Sequence, residues 1–73
     1  MIDTDSNMIT RVIIALLENP LISRAQLEIG VEHGTVTLWG EVLSEAARIA
    51  AEEVARRQAN VVDVVNRLQV VLA

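Results

Sequence analysis

The fold is decided by one stretch of the chain, Leu27-Glu28-Ile29-Gly30-Val31-Glu32-His33-Gly34-Thr35-Val36-Thr37-Leu38-Trp39-Gly40. Apolar and polar residues alternate on both sides of His33-Gly34, which is typical of two strands joined by a two-residue turn. Such a turn pairs Val31 with Val36, Ile29 with Leu38 and Leu27 with Gly40, so that the apolar partners share one face. The stretch therefore predicts a β-hairpin, its register and its two faces.

A helix is predicted before this hairpin, over residues 6–18. Three polar residues are available as its N-cap: Thr4, Asp5 and Ser6. Its core face consists of the residues that recur at helical spacing, namely Met8, Ile9, Val12, Ile13, Leu16 and Leu17. Asn19-Pro20 ends the helix, because the residue before a proline is biased away from helical dihedral angles. An extended linker through Ser23 then leads into the first strand.

A second helix and a third strand are predicted after the hairpin. The helix begins after Ser44, whose hydroxyl can accept a hydrogen bond from a free backbone amide, and it spans about four turns. A stripe of small residues lets it approach the sheet where Gly40 has no side chain, and the stripe consists of Ala47, Ala50, Ala51 and Val54. From Val61 to Leu72 the period returns to two, which indicates a strand.

The two sides of this third strand differ in polarity. The core side consists of Val64, Leu68, Val70 and Leu72, and the other side of Val65, Arg67, Gln69 and Val71. A right-handed crossover through the second helix places the third strand parallel to the second one.

These elements predict an α+β fold, an αββαβ two-layer sandwich with a three-stranded mixed sheet and two helices on one face. The chain has 73 residues, too few for two cores, so we expect a single domain over residues 1–73, with residues 1–5 flexible. The opposite face of the sheet is left uncovered. It carries Glu28, Gly30, Glu32, Thr35, Thr37, Trp39 and Glu41.

Composition excludes several classes of function. Six arginines and ten acidic residues give a net charge of −4, which argues against a nucleic-acid partner. The chain has no cysteine, so a disulfide scaffold and a thiolate metal site are excluded. The N-terminus is acidic where a secretory signal is basic, and no apolar run reaches the roughly 20 residues of a membrane span. These features leave the compartment open.

Few residues suggest chemistry, and we expect no enzyme, no cofactor and no bound metal. His33 lies in the turn, where tolerance of a positive φ explains it better than catalysis or metal binding. Glu28, Glu32 and Glu41 share the uncovered face and could hold a cation, although a solvated edge is the simpler interpretation. Ion pairs at a spacing of four residues are predicted on the second helix, namely Arg48–Glu52, Glu52–Arg56 and Glu53–Arg57.

Three apolar residues fall outside the predicted core: Trp39, Ile14 and Ile49. Trp39 lies across from Glu28 and diagonal to Gly30. Two interpretations of Trp39 stay open, because the indole either shields the bare backbone of Gly30 or contacts a partner. The predicted binding residues for a lipid or protein partner are Trp39, Thr37, Glu28, Val65, Val71 and Arg67.

Two motifs carry a resemblance to a known family. They are Gly34-x-Val36-x-Leu38-x-Gly40-x-Val42 and Val64-x-Asn66-x-Leu68-x-Val70, with an alanine-rich helix between them. At this spacing the chain resembles the BON domain, named for bacterial osmotically inducible and nodulation-associated proteins, over nearly its whole length. Asn60 departs from the family, which commonly has glycine there, but asparagine tolerates left-handed dihedral angles.

The resemblance implies a non-catalytic bacterial accessory module that binds phospholipid or associates with the envelope. The partner is then a phospholipid or a membrane surface. In the alternative, the uncovered sheet face around Trp39 binds a protein, either a second copy of the chain or a fused or separate partner. The acidic charge of the chain favours the alternative, and the resemblance favours the first function.

Overall fold

The computed structural model describes residues 4–22 and 26–71, and the side chains of residues 7–22 and 27–71. The elements are α1 (Thr4–Leu17), β1 (Gln26–Glu32), β2 (Thr35–Val42), α2 (Glu45–Arg56) and β3 (Asp63–Val70). The strands form one sheet in the order β1-β2-β3, with β1 antiparallel and β3 parallel to β2. The predicted α+β fold is confirmed.

The hairpin has the predicted register. Val31 pairs with Val36, Ile29 with Leu38 and Leu27 with Gly40. Both turn residues have positive φ, 51° at His33 and 83° at Gly34, as a tight turn with the twist of the strands requires. A Cβ at Gly34 would lie 2.8 Å from Cγ2 of Val62, the residue before β3. The Val62 side chain therefore leaves room only for glycine at this turn position.

The core lies between one face of the sheet and the two helices. Its buried side chains are Met8, Val12, Leu16, Ile22, Val36, Leu38, Val42, Ala47, Ala51, Ala55, Val64 and Leu68. On β2 and β3 these are even-numbered residues, which places the odd-numbered ones on the uncovered face.

More residues of α1 were predicted to face the core than are buried in the structure. Met8, Val12 and Leu16 are buried and Ile9 is half-buried, but Ile13 and Leu17 are exposed. Within the sheet, α1 contacts chiefly β1, an edge strand, so only a narrow stripe of the helix is covered. The helix also begins at Thr4, before the predicted residue 6, and the proposed capping side chains of Thr4, Asp5 and Ser6 lie outside the described side chains.

The segment after α1 is a turn and not the extended linker that Pro20 suggested. The Ile22 amide donates to the Asn19 carbonyl at 2.9 Å, and the Leu21 amide donates to Asn19 Oδ1 at 2.9 Å. This turn carries the Ile22 side chain into the core, where it is fully buried. Ser23, where the linker was expected to end, lies outside the described residues.

Helix α2 has the predicted N-cap. Ser44 has extended dihedral angles and its hydroxyl accepts a hydrogen bond from the Ala47 amide. The helix has 12 residues, fewer than the predicted four turns. Its buried stripe includes Ala55, which the prediction missed, while Ala50 and Val54 are only half-buried.

The third strand is shorter than predicted. β3 covers Asp63–Val70, so Val61 and Val62 precede it, and Leu72 lies outside the described residues. Asn60 has φ 71°, which confirms that asparagine here adopts the left-handed conformation. In the part of the chain that is described, no helix is long and apolar enough to span a bilayer.

Candidate functional site

The predicted binding residues lie together on the uncovered sheet face. Strand register places Glu28, Trp39 and Arg67 side by side across the three strands. Two residues along, the neighbouring set across the strands consists of Gly30 on β1, Thr37 on β2 and Val65 on β3. Val71 follows β3, where its amide donates to the Val42 carbonyl at 2.8 Å, and it lies at the far end of the face. The centre of this surface is therefore a row of carboxylate, indole and guanidinium.

Trp39 lies against Gly30. A Cβ at Gly30 would be 3.0 Å from Trp39 Cζ3 and 3.3 Å from Cη2, so the ring occupies the space of the missing side chain. The residue still has 43% of its surface exposed. The shielding interpretation accounts for one edge of the indole, and the rest of the ring is free to meet a partner.

The uncovered face is acidic. Among the described residues it carries, by strand parity, the carboxylates of Glu28, Glu32 and Glu41 and one guanidinium, that of Arg67, while the Asp63 carboxylate lies 3.6 Å from Arg56 of α2. An acidic surface is repelled by anionic lipid headgroups. This surface is better suited to a protein partner than to an anionic bilayer.

The carboxylates of this face do not form a metal site. Among the described residues, no three histidine, cysteine or acidic side chains come close enough to hold an ion. The suggested cation site of Glu28, Glu32 and Glu41 is therefore wrong. Glu28 and Glu32 are four residues apart on one strand, about 13 Å, and Glu41 pairs across from Gln26.

Two of the three predicted ion pairs on α2 are not seen. Arg56 binds Glu52 at 3.1 Å, as predicted, and also lies 3.6 Å from Asp63. Arg48 pairs with Glu45 rather than with Glu52, and no Glu53–Arg57 pair is seen between the described side chains. The hydrogen bond from Arg48 lowers the pKa of Glu45, and the same bond raises the pKa of Arg48. These arginines already have acidic partners on the helix surface.

The structure has a second exposed apolar surface, which we call the α1 patch and which was not predicted from the sequence except for one residue. It consists of Ile13, Ile14, Leu17 and Leu21, and the last three are 52%, 54% and 53% exposed. The sequence had placed Ile14 outside the core and Leu21 in the linker, but Ile13 and Leu17 on the core face. The signal in the sequence is the unbroken apolar run from Val12 to Leu17, which goes around the helix and cannot all face one sheet.

The α1 patch borders a groove between α1 and β1. Among the described side chains, those that line the groove are apolar, namely Ile13, Leu16, Leu17, Leu27 and Ile29. It lies along the outer edge of the sheet, where β1 has a strand on one side only. The two surfaces share Ile13 and Leu17.

The BON domain family model matches residues 4–71 of the chain. The chain therefore belongs to the BON domain family, as its motifs indicated. This family is associated with membrane and phospholipid binding and is generally non-catalytic. No match was found among curated proteins.

Proposed function

We propose that this BON domain is a non-catalytic binding module that attaches to phospholipid surfaces of the bacterial envelope through the α1 patch. The observation that carries the proposal is the exposure of Ile13, Ile14, Leu17 and Leu21 on one helix and the turn after it. Family membership supports the lipid ligand.

The α1 patch has the chemistry of an interfacial contact. Aliphatic side chains that leave water for the acyl boundary contribute roughly 25 cal/mol per Å² of buried apolar surface. The charges nearest to Ile14 along the chain balance, with Arg11 three residues before it on α1 and Glu18 four residues after it, just past the end of the helix. An anionic bilayer would therefore not repel this surface as it would the uncovered sheet face.

The experiment is liposome flotation of the whole chain with vesicles of increasing anionic lipid content. We expect the unchanged protein to float and the double variant Ile14→Gln with Leu21→Gln to lose most of its co-flotation. Ile49→Gln is the control, because Ile49 is an isoleucine on α2 that is 47% exposed, against 52% for Ile14, and lies outside the α1 patch. Absence of flotation of the unchanged protein at low salt would overturn the lipid function.

A second candidate function is protein binding at the uncovered sheet face, and the acidity of that face around an exposed indole favours it. Its binding residues are those predicted from the sequence: Trp39, Thr37, Glu28, Val65, Val71 and Arg67. If they bind a protein and not lipid, Trp39→Ala leaves flotation unchanged. If the partner is a second copy, sedimentation detects a dimer of the unchanged protein that Trp39→Ala weakens, and a monomer at high concentration excludes self-association.

A further inference from the structure

The outer edge of β1 presents backbone hydrogen-bonding groups that no strand of the described residues uses. Glu32 and Thr35 close a two-residue turn, so they form a hydrogen-bonded pair and the even-numbered residues of β1 bond to β2. The odd-numbered residues Leu27, Ile29 and Val31 then direct their amides and carbonyls away from the sheet. No strand among the described residues pairs with this edge.

The other edge of the sheet is different, because side chains of β3 already bind two of its amides. The Val64 amide donates to Asp63 Oδ1 at 2.9 Å, and the Leu68 amide donates to Asn66 Oδ1 at 3.1 Å. These bonds use donors that an added strand would need. Strand addition is thus favoured at β1 over β3.

The surroundings of the β1 edge differ on its two sides. On the helix side lies the apolar groove of Ile13, Leu17, Leu27 and Ile29. On the uncovered side lie the exposed carboxylates of Glu28 and Glu32. Side chains of a strand alternate between these two sides, so a segment complementary to both must alternate aliphatic and basic residues.

We propose that β1 binds, by strand addition, an extended segment of a partner protein in which aliphatic residues alternate with lysine or arginine. Its aliphatic side chains enter the groove, and its cations face Glu28 and Glu32. A second copy of β1 would bring carboxylates instead of cations to the uncovered side of this edge. Antiparallel pairing centred on Gly30 would set Glu28 of each copy opposite Glu32 of the other, and like charges directly opposite are destabilising.

The test uses a synthetic heptapeptide of alternating lysine and valine, added to the isotope-labelled chain without lipid. We expect amide hydrogen exchange of Leu27, Ile29 and Val31 to slow about tenfold when peptide saturates the protein. Exchange at these three amides that does not respond to the peptide would overturn the proposal.

Backbone pairing is tested with two further peptides, one N-methylated at the valines and one at the lysines. Strand addition uses the amides of one alternating set, so one of the two peptides loses binding and the other keeps it. Retention of binding by both peptides would rule out strand addition. This comparison uses the unchanged protein and does not depend on the folding of a variant.

The charge preference is tested with Glu28→Lys against Glu53→Lys. Both changes alter the net charge equally at an exposed position, but Glu53 lies on α2. We expect Glu28→Lys to weaken peptide binding about fivefold and Glu53→Lys to have little effect. Equal weakening by both variants would mean that the peptide responds to the overall charge and not to the β1 edge.

Discussion

Trp39 and Gly30 act as one unit on the uncovered sheet face. The φ angle of Gly30 is not positive, so its backbone conformation does not require glycine. What opposes a side chain is the indole, which would have to shift because its Cζ3 lies 3.0 Å from the position of a Cβ. An aromatic ring laid over a strand glycine supplies the contact that the missing side chain does not.

This relation predicts a strong coupling between Gly30→Val and Trp39→Ala. Valine suits a strand but would displace the indole, so Gly30→Val should destabilise the protein by about 1–3 kcal/mol. In the Trp39→Ala background the same change should be neutral or stabilising. Urea denaturation followed by circular dichroism, applied to the four proteins of the cycle, measures the coupling.

Thr37→Val is the control for this cycle, because Thr37 lies on the same face and pairs directly with Gly30. It should show no comparable dependence on Trp39. An equal cost of Gly30→Val in both backgrounds would mean that the indole does not determine the choice of glycine.

At the scale of the element, the N-terminus of α2 combines a cap and an ion pair. Ser44 accepts the Ala47 amide, and Glu45 in the first turn binds Arg48. A carboxylate near a helix N-terminus is also favoured by the helix dipole. The pKa of Glu45 is lowered chiefly by the hydrogen bond from Arg48.

We therefore predict that Arg48→Gln raises the pKa of Glu45 toward its ordinary value, measured by NMR titration of the Glu45 carboxyl. Because the pKa of Glu45 in the folded chain is depressed, the stabilisation from the pair is complete above the unfolded pKa. It is lost as the pH falls through the folded pKa. The stability difference between the unchanged protein and the variant should accordingly shrink in acid.

The control variant is Arg57→Gln. Arg57 is exposed and forms no ion pair among the described residues, so this change should leave the titration of Glu45 unchanged.

Helix α1 illustrates what an element alone can and cannot predict. Its helical state followed from the periodicity and from Asn19-Pro20, which are local properties. Which of its apolar residues are buried depended on the width of the surface beneath it. The edge strand β1 covers only a stripe, and this is why Ile13 and Leu17 are exposed.

At the scale of the whole molecule, Asn66 connects the two layers. Its Nδ2 donates to the Arg48 carbonyl of α2 at 2.9 Å, while its Oδ1 accepts the Leu68 amide at 3.1 Å. One half-buried amide thus ties the second helix to the outer strand. This double role accounts for an asparagine at a core-side position of β3 that is otherwise aliphatic.

Replacing Asn66 with aspartate keeps the acceptor and removes the donor. We predict that Asn66→Asp destabilises the protein by about 1–3 kcal/mol at neutral pH, because a carboxylate oxygen then faces the Arg48 carbonyl. The loss should diminish in acid, where the protonated carboxyl donates again. Urea denaturation at neutral and acidic pH measures both effects.

Asn60→Asp is the matched control, since Asn60 is exposed and aspartate also tolerates a positive φ. It should cost much less stability than Asn66→Asp at neutral pH. Equal costs for the two variants would mean that the bond from Asn66 to α2 contributes little to the stability of the layers.

The sequence by itself determined the αββαβ order, the hairpin register, the cap at Ser44 and the left-handed turn residue His33. Each of these follows from neighbours along the chain: alternation, a turn pair, a hydroxyl before a helix. Only the tertiary structure decided which apolar residues of α1 stay exposed, how Ile22 reaches the core and which sheet edge has amides bonded by its own side chains. These depend on how much surface one element presents to another, and that area is set by packing between segments distant in the chain.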